Sequence, residues 1–443
     1  MPKKLFGSLK GVHVHHRKNN AHMSPVKMPP PDMVVIPTVM HIGAPAKPVV
    51  KAGDKVAVGQ LIAESGGFIS APVHASVSGT VKKVENITLS NGRQAPAIFI
   101  ESDGEMRPFE GIKPPKADTL EEVTNAIRDS GIVGLGGAGF PTSVKLAIKD
   151  IEKVEYFVIN GAECEPYITS DTRTMRDYTD LVERGTRRIS NLLKPKAVYI
   201  GIEKNKPNSI AGLKERFRDD PTIIVKGLPP MYPQGGEKVL IYNTTGRIVE
   251  EGKLPLDAGV VIMNVTTLAN IEQYIETGMP LVEKLVTVDG SAVKEPKNVF
   301  VPIGTRIGDV FEFCGGFKEE PGKLLYGGPM MGTAVPDLDA PILKNTNAIL
   351  AFNKKDAEVK KETPCIRCGN CVNHCPMRLN PPAIAKAFNN RDGAALYKQR
   401  VNLCMECGAC SFVCPAHQPI VQRHKLAKAM LREWQNTQKG DKK

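Results

Sequence analysis

Cys365-Ile-Arg-Cys368-Gly-Asn-Cys371-Val-Asn-His-Cys375-Pro376 and, further on, Cys404-Met-Glu-Cys407-Gly-Ala-Cys410-Ser-Phe-Val-Cys414-Pro415 follow one pattern, C-x2-C-x2-C-x3-C-P. In this pattern three cysteines ligate one iron–sulfur cube, and the fourth reaches the neighbouring cube. We therefore predict two [4Fe–4S] clusters with crossed ligand sets. The first set is Cys365, Cys368, Cys371 and Cys414, and the second is Cys404, Cys407, Cys410 and Cys375. The spacing predicts a protein that transfers electrons.

Zinc knuckles and a disulfide framework are the two simpler interpretations of these cysteines. Zinc sites pair two C-x2-4-C knuckles and need neither a third cysteine at the same spacing nor a proline after the fourth. Here Gly369 and Gly408 allow the backbone to pass close to inorganic sulfide, while Pro376 and Pro415 turn the chain away. The iron–sulfur interpretation is therefore favoured.

The length of 443 residues allows roughly two to four domains with separate cores. Cys164 and Cys314 stand outside the motifs, as lone cysteines do in proteins of a reducing cytoplasm. The first 20 residues are basic but have no apolar core, so we expect no signal peptide. Apolar runs such as residues 260–263 are too short to span a bilayer, so membrane attachment is expected only through protein partners.

The net charge of +12 is concentrated in residues 351–443, which contain 17 Lys and Arg against 7 Asp and Glu. No aromatic stacking motif accompanies these basic residues, so we expect no nucleic-acid binding. Part of the excess offsets the negative charge of two thiolate-ligated clusters. The remainder is suited to attract an acidic electron carrier or anionic lipid headgroups.

The amino-terminal third of the chain divides into two parts. Residues 1–35 are an irregular N-terminal extension whose histidines suggest a metal site, although solvated or packing histidines are the simpler interpretation: His13, His15, His16 and His22. Residues 36–105 contain short strands with turn residues between them, VVKAGDKVAVGQLIA (49–63) and SAPVHASVSGTV (70–81). These two halves resemble the biotinyl/lipoyl-type barrel-sandwich hybrid fold. The hairpin at 64–68 has no lysine to modify, so we expect a structural or docking domain.

A glycine-rich loop, GIVGLGGAGFPT (residues 131–142), follows a segment with helical periodicity at 118–130. A Rossmann fingerprint requires a strand before its glycines, and here a helix precedes them. The glycines still let backbone amides approach a phosphate, and Pro141 begins a helical run to about residue 150 whose N-terminus favours an anion.

Strands and helices alternate through residues 115–280, which predicts an α/β domain with a mostly parallel sheet. The predicted strands are 156–160, 197–202, 222–226 and 260–265, and the predicted helices lie near 176–193, 209–218, 237–243 and 268–276. Polar residues follow the strands at 160–166, 232–238 and 264–267. Turns and helix caps use the same residue types, but convergence at the strand ends beside a glycine loop favours a ligand site.

The remaining sequence predicts two smaller domains. Residues 284–335 read as a hairpin, a strand and a short helix with a buried Cys314, and the tight loop at 327–332 has no assigned role. Residues 355–443 form the helical, bacterial-ferredoxin-like domain that carries both cysteine motifs. Its last helix, at about 420–434, is basic and amphipathic, which is suited to packing on the cluster domain or to contact with a membrane or partner.

The stretches GLGGAGFPTSVK, INGAECEP, YPQGGEK and MNVTTLAN begin at residues 134, 159, 232 and 263 and resemble the flavin-bearing, NADH-oxidising subunit of respiratory complex I. The resemblance implies an FMN site made of Gly134, Gly136, Gly137, Gly139, Lys145, Asn160, Tyr232, Gly235 and Asn264. It implies a nicotinamide nucleotide site made of Phe140, Glu163, Glu165 and Glu237. Departures from that family's usual residues are Leu135, Ala162, Cys164 and Gly236. Residues 284–335 are similar to the β-grasp (SLBB-like) module of the same subunit.

The order barrel-sandwich, flavin domain, β-grasp module and two clusters resembles the C subunits of Rnf ion-translocating electron transport complexes over nearly the whole chain. The resemblance implies an NADH-linked oxidoreductase subunit of the NAD:ferredoxin, translocase type, with FMN and two [4Fe–4S] clusters as cofactors and NAD(H) as substrate. It implies a peripheral position on the cytoplasmic face of the bacterial inner membrane, held there by integral and peripheral partner subunits, with ferredoxin reached indirectly.

Two alternatives remain at this point. One is a soluble cobalamin reductase, a related protein in which the barrel-sandwich segment follows the clusters. The other is an electron-transfer scaffold with clusters but no flavin. Because hydride transfer to a flavin needs no protein acid or base, we name no catalytic side chain.

Overall fold

The computed structural model describes residues 10–440, so the first nine residues of the predicted N-terminal extension and the last three of the predicted cluster domain lie outside the described residues. Residues 10–24, here called the N-terminal strap, are irregular and lead into β1 (Val26–Lys27). Val12 and Val14 are buried whereas His13 and His15 are exposed, as expected for an extended segment with alternating faces. The strap is thus packed on one side along its first half.

The barrel-sandwich domain consists of two small antiparallel sheets. Its strands are β2 (Met33–Pro37), β3 (Lys47–Pro48), β4 (Lys55–Val56), β5 (Leu61–Glu64), β6 (Val73–His74), β7 (Gly79–Thr88) and β8 (Gln94–Ser102). One sheet has the order β2–β8–β7–β4 and the other β3–β5–β6. Ile36, Ile62 and Ile100 are completely buried between the sheets. The turn between β5 and β6 carries the exposed Phe68 and no lysine.

The next domain is a layered α/β unit. Its elements are α1 (Leu120–Asp129), α2 (Thr142–Leu146), β9 (Tyr156–Asn160), α3 (Ser170–Asp177), α4 (Thr179–Leu193), β10 (Ala197–Glu203), α5 (Pro207–Arg216), β11 (Ile223–Leu228), α6 (Glu237–Thr245), β12 (Val260–Asn264) and α7 (Val265–Thr277). The sheet is parallel throughout, in the order β11–β10–β9–β12. The near-continuous apolar strands are buried on both faces, as parallel strands require.

Two helices of this domain differ from the sequence expectation. The predicted helix at 176–193 is two helices, because the chain departs from helical geometry at Tyr178 (φ −124°, ψ 35°). The helical run predicted to reach about residue 150 ends at Leu146, and a short 3-10 turn follows at Ile151–Lys153. The periodicity of apolar residues alone does not reveal where a helix is interrupted or ends.

The third module has a mixed sheet that recruits strands from outside the predicted 284–335 segment. Its own elements are β13 (Glu283–Asp289), β14 (Lys297–Pro302), α8 (Ile307–Phe313), β15 (Pro321–Tyr326) and β16 (Thr333–Val335), with β17 (Ala348–Asn353) later in the chain. The strand order is β1–β14–β13–β17–β15–β16. The amino-terminal β1 therefore closes one edge, while β17 lies in the middle between β13 and β15.

The cysteine motifs lie in a helical domain made of α9 (Asn370–Asn373), α10 (Pro381–Asn389), α11 (Gly393–Lys398), α12 (Ala409–Phe412) and α13 (Ile420–Gly440). The two motifs have the same backbone geometry. Positive φ angles recur at corresponding positions, namely Arg367 and Glu406, Gly369 and Gly408, and Arg378 and His417. Among residues 10–440, no helix is both long and apolar enough to cross a bilayer.

Candidate flavin site and cluster cavities

The glycine loop is anchored at its base and open at its tip. The Gly134 amide donates to the Phe140 carbonyl at 2.9 Å, which closes the base. The Leu135 amide donates to Thr267 Oγ1 at 2.9 Å, and the Leu135 side chain is buried. Among residues 10–440, the amides of residues 136–138 at the exposed tip have no hydrogen-bond partner. Free amides on a glycine loop are the donors that bind a phosphate group.

Neighbouring domains hold this loop from the other side. The Asn345 side chain donates to the Gly137 carbonyl at 3.0 Å, and the Ile42 amide of the barrel-sandwich domain donates to the Gly139 carbonyl at 3.1 Å. The buried Lys344 ammonium donates to the carbonyls of Pro72 and Gly131. Burial without a facing carboxylate lowers the pKa of Lys344 to about 7. Three domains therefore fix the position of the loop.

Two asparagines lie side by side at the carboxyl edge of the sheet, where β9 and β12 end. Asn160 and Asn264 are register partners. Asn160 Nδ2 donates to the Gly235 carbonyl at 2.9 Å, and Asn264 Oδ1 caps α7 by accepting from the Thr266 and Thr267 amides. A Cβ placed on Gly136 would lie 2.3 Å from Asn264 Nδ2, so only glycine allows this approach. The glycine loop, both asparagines and Gly235 thus form one edge.

Lys145 and Glu237 complete this edge with a pair of opposite charges. Lys145 Nζ lies 3.5 Å from Glu237 Oε2, and both side chains are partly exposed. Phe140 is half-buried at the carboxyl end of the loop. An ammonium group beside free loop amides is suited to a phosphate-bearing ligand. The edge therefore fits FMN on three counts, namely the free amides, the cation and the open space beside Gly137, where an added Cβ would meet nothing within 4 Å.

Glu163 lies behind this edge as a helix cap. Its carboxylate accepts from the Asp171 amide at 2.7 Å and from the Thr172 hydroxyl at 2.7 Å, at the start of α3. Lys18 of the strap donates through Nζ to the carbonyls of Glu163 and Glu165, each at 2.8 Å. Burial raises the pKa of Glu163 although Lys18 opposes the shift. In this structure its acceptor sites face the protein interior.

Glu165 is half-buried and points in a different direction, against the loop at 327–332. Its carboxylate accepts from the Met330 amide at 3.0 Å and from the Met331 amide at 2.8 Å. A Cβ on Gly328 would lie 2.1 Å from Glu165 Oε2, which explains the glycine there. Burial raises the pKa of Glu165 to about 7. The loop without an assigned role in the sequence is therefore a carboxylate-binding turn.

Tyr232 is completely buried and its hydroxyl points to the cluster domain. The hydroxyl donates to the Cys407 carbonyl at 2.7 Å and lies 3.4 Å from Glu165 Oε1. Its backbone forms two hydrogen bonds with Val12 of the strap, at 2.8 and 2.9 Å. Burial and the neighbouring Glu165 raise the pKa of Tyr232, so the phenol is protonated and available as a donor.

One set of four cysteines lines a small, partly open cavity. The set consists of Cys375, Cys404, Cys407 and Cys410. It takes Cys375 from the first motif and the other three from the second, as crossed ligation requires. Burial raises the pKa of Cys407 and of Cys410 to about 12. Four thiolates in this cavity therefore require a positively charged centre, which fits an iron–sulfur cube.

The other four cysteines lie nearer to solvent. Cys365 and Cys368 are exposed, and Cys371 and Cys414 are half-buried. Burial raises the pKa of Cys371, and the nearby thiols of Cys414 and Cys365 raise it further, so the three cysteines lie close together. This set also mixes the two motifs. We call the first set the proximal set, because Tyr232 contacts it, and this second set the distal set.

The flavin edge and the proximal set meet through one apolar cluster. Val12, Cys164, Tyr232, Cys407 and Ala409 pack together there. A Cβ on Gly236 would lie 2.2 Å from Met405 Cε, so the 232–236 loop packs directly on the proximal motif. The candidate flavin edge and the proximal set are therefore neighbours in the fold.

Sequence reasoning missed several residues that position these sites. Lys18 lies in an irregular basic segment without a pattern, and no periodicity singles out Asp171. Asp171 accepts from Asn264 Nδ2 at 2.7 Å and from the Thr266 hydroxyl at 2.6 Å. The Gly327-Gly328-Pro329 turn is the one local signal for the Glu165 contact. Among residues 10–440 no three His, Cys, Asp or Glu side chains, those of the strap included, converge on the position of a single metal ion.

Four family models match successive parts of the chain. They are the RnfC barrel sandwich hybrid domain at residues 6–105, the Nuo51 FMN-binding domain at 127–273, the SLBB domain at 285–334 and the 4Fe-4S dicluster domain at 364–419. The predicted fold class, a multidomain α/β plus β protein with these four kinds of module, is confirmed. FMN and [4Fe–4S] clusters as cofactors are supported by the second and fourth matches.

Two relatives cover most of the chain. The C subunit of the proton-translocating ferredoxin:NAD(+) oxidoreductase complex of Clostridium ljungdahlii is 46% identical over 85% of this chain and 83% of its own length. The C subunit of the Na(+)-translocating ferredoxin:NAD(+) oxidoreductase complex of Acetobacterium woodii is 42% identical over 85% of this chain and 86% of its own length. A crystal structure of an air-oxidized NAD+-reducing [NiFe]-hydrogenase shares the fold, with TM-score 0.50, 18% identity, and coverage of 71% of this chain and 64% of that one.

Proposed function

Because this chain belongs to the family of C subunits of ion-translocating ferredoxin:NAD(+) oxidoreductase complexes, we propose that it transfers electrons between NAD(H), FMN and two [4Fe–4S] clusters. The observation that carries the proposal is the contact of the flavin edge with the proximal cysteine set through Tyr232 and Cys407. A flavin bound at that edge and a cluster bound in that cavity are neighbours. Membership of this family leaves the cobalamin-reductase alternative without support.

We assign FMN to the open edge of the α/β domain. The free amides at 136–138 and the Lys145 ammonium bind its phosphate, while Asn160 and Asn264 orient the rest of the group along the strand ends. FMN supplies the chemistry, since it accepts a hydride and releases single electrons. Phe140 and Glu237 lie beside the same opening and are the residues placed to contact the nicotinamide nucleotide.

We assign the proximal set, Cys375, Cys404, Cys407 and Cys410, and the distal set, Cys365, Cys368, Cys371 and Cys414, to one cluster each. The buried proximal set faces the flavin edge, and the distal set faces solvent. The distal set is therefore the exchange point with a further carrier, and the chain conducts electrons between its flavin edge and that surface. The direction of flow depends on the potentials of the partners.

The protein acts as a peripheral subunit, attached to the cytoplasmic face of the bacterial inner membrane by integral and peripheral partner subunits. Ferredoxin exchanges electrons with the complex rather than with this chain directly. Co-expression with the integral subunits should bring the protein into the membrane pellet, and its expression without them should leave it in the supernatant. A protein that stays in the supernatant in both cases would contradict this placement.

The flavin assignment is tested with Gly137→Val. A Cβ added at Gly137 would meet no protein atom within 4 Å, so the apoprotein should fold, but the valine side chain would occupy the space that the phosphate needs. We expect loss of bound FMN, measured by fluorescence of the released cofactor, and loss of NADH-dependent reduction of artificial acceptors. Iron and sulfide content should stay at about eight of each per chain.

Gly212→Val is the matched control. Gly212 is also exposed with open space around it, but it lies in α5, away from the loop. Because valine is a slightly better helix former than glycine, the substitution should stabilise the helix by a few tenths of about 1 kcal/mol and leave FMN bound. Wild-type protein that contains both clusters but binds no FMN after anaerobic reconstitution would contradict the flavin site and favour an electron-transfer scaffold.

A further inference from the structure

A chain of polar contacts joins the third module to the backbone of Cys407, one of the predicted cluster ligands. The Met330 and Met331 amides donate to the Glu165 carboxylate, the Tyr232 hydroxyl lies 3.4 Å from that carboxylate, and the same hydroxyl donates to the Cys407 carbonyl at 2.7 Å. The shorter distance identifies Cys407 as the main acceptor. Tyr232 and Cys407 are buried, whereas Glu165 is half-buried, so the bond between the Tyr232 hydroxyl and the Cys407 carbonyl is the one shielded from water.

The same loop also touches the proximal motif directly. A Cβ on Gly408 would lie 2.7 Å from the Met330 carbonyl, so residues 327–332 contact both Glu165 and the residue after Cys407. This loop contains no titratable side chain. The charged group that faces Glu165 from the strap is Lys18, and Cys164 and Tyr232 are its other ionisable neighbours. Glu165 is therefore the acidic group of this interface. Its carboxylate is held by the Met330 and Met331 amides and faces Lys18 and Tyr232.

We propose that Tyr232 and Glu165 act as positioning residues that set the reduction potential of the cluster on Cys375, Cys404, Cys407 and Cys410, and not of the distal cluster. The inference rests on the proposed function, since it requires the clusters to be loaded. It adds a role for Tyr232 that differs from contact with FMN: its hydroxyl is directed at the cluster loop.

The physical basis is electrostatic. Reduction adds a negative charge to a cluster, and its potential responds to nearby hydrogen bonds, net charge and solvent exposure. The Tyr232 hydroxyl presents its positive end to the Cys407 carbonyl and so favours the reduced state. An ionised Glu165 opposes the reduced state. In a buried interface both contributions are poorly screened, because few water dipoles are available to weaken them.

The two residues therefore predict opposite shifts. Tyr232→Phe keeps the ring and its packing but removes the donor, so the proximal cluster should become harder to reduce and its potential should fall. Glu165→Gln keeps the shape but removes the charge, so the potential should rise. The effect of Glu165→Gln should be larger well above pH 7, because the pKa of Glu165 is raised to about 7 and the wild-type carboxyl is ionised there.

The measurement is an EPR-monitored redox titration of the anaerobic full-length protein, with the two cluster signals followed separately. Tyr326→Phe is the matched control, since the Tyr326 hydroxyl also donates to a backbone carbonyl, that of Pro341 at 2.6 Å, but in the third module and away from the cysteines. We expect the proximal signal to shift in opposite directions in the two test variants and to stay unchanged in the control.

Three outcomes would overturn the inference: equal shifts of both clusters, shifts of the same sign in both test variants, or potentials that match the wild type. Each preparation is also analysed for iron, sulfide and flavin. Clusters that are absent from the wild-type protein would refute the proposed function itself, whereas loaded clusters with unchanged potentials would refute only the role of Tyr232 and Glu165. The potential is read from the cluster signal and does not depend on turnover.

Discussion

In the first cysteine motif Cys365 and Cys368 are exposed, whereas in the second motif the corresponding Cys404 is half-buried and Cys407 is buried. The local backbone is the same in both, with left-handed residues at corresponding positions on either side of each helix turn. The difference comes from what packs outside the motif. The second motif lies under the 232–236 loop, the strap and the 327–332 loop, while solvent covers the first.

This comparison shows that ligand spacing and ligand environment are specified separately. Spacing is local and fixes which cysteines converge, while environment depends on residues that lie roughly 80 to 400 positions earlier in the chain, as Val12, Tyr232 and Met330 do. Two clusters with identical motifs can thus have different potentials and different access to partners. The second motif is largely covered by other parts of the chain, whereas the first is open to solvent.

The largest effect should come from breaking the crossed ligand sets. Cys375→Ala should destroy the proximal cluster, although Cys375 belongs to the first motif, because Cys375 lines the proximal cavity. Cys414→Ala should destroy the distal cluster in the same way. Each variant should retain about four of the eight iron atoms, and EPR should show which signal is lost. Loss of the distal signal in Cys375→Ala, or of the proximal signal in Cys414→Ala, would contradict the crossed arrangement.

The exposure difference should appear as a difference in the rate of cluster loss. Controlled exposure to oxygen or to an iron chelator should remove the distal cluster severalfold faster than the proximal one, because two distal cysteines are exposed whereas three proximal ones are buried. The time course of each EPR signal measures this. Iron released in a single phase, with both signals decaying together, would show that burial does not protect the proximal cluster.

A matched pair of glycines sharpens the comparison further. Gly369 and Gly408 have φ of 79° and 76°, so alanine at either position should cost about 1–2 kcal/mol of strain. At Gly408 the new Cβ would also lie 2.7 Å from the Met330 carbonyl, whereas at Gly369 its nearest neighbour is Asn373 Nδ2 at 3.8 Å. Gly408→Ala should therefore lower the free energy of unfolding by about 1–3 kcal/mol more than Gly369→Ala does.

Anaerobic thermal unfolding of the loaded protein gives this difference. The difference in stability between the wild type and Gly369→Ala gives the cost of the backbone angle alone. Equal destabilisation by the two substitutions would mean that the 327–332 loop yields without cost, and that the second motif is less tightly enclosed than its contacts indicate.

The smallest expected effect is a pH dependence confined to one cluster. Burial raises the pKa of Glu165 to about 7, so the carboxyl gains a negative charge as the pH rises through that value. The potential of the proximal cluster should therefore decrease as pH rises through about 7, and that of the distal cluster should not. Redox titrations at several pH values test this, with Glu165→Gln as the variant in which the dependence disappears.

Much of this architecture could be predicted from the sequence because the determining signals are local. The cysteine spacing predicts both ligand sets, and a short continuous apolar run gives β9 with the predicted bounds, Tyr156–Asn160. The polar residues after β9 and β12 are expected to meet, and Asn160 and Asn264 do. These features depend on residues that are near one another in the chain or on the shared edge of a parallel sheet.

The remaining features depend on distant contacts and leave no local signal. The position of Glu165 in the INGAECEP stretch predicts contact with the nucleotide. In the structure its carboxylate instead accepts from amides more than 160 residues later in the chain. The assignment to the nucleotide stays a prediction, and the observed partner is the Met330 loop. Similarly, β17 (Ala348–Asn353) enters the middle of a sheet whose other strands precede residue 336, because strand order need not follow chain order.

The position of the strap has a consequence for how the protein is made. Val12 and Val14 leave the ribosome long before Tyr232, Cys407 and Ala409, against which they pack. A nascent chain therefore carries an uncovered apolar strip until the second cysteine motif emerges, and domains that fold earlier during synthesis cannot hide it. Closure of this strip then waits for synthesis of the second motif. A chain that stalls before residue 404 would present that strip to chaperones.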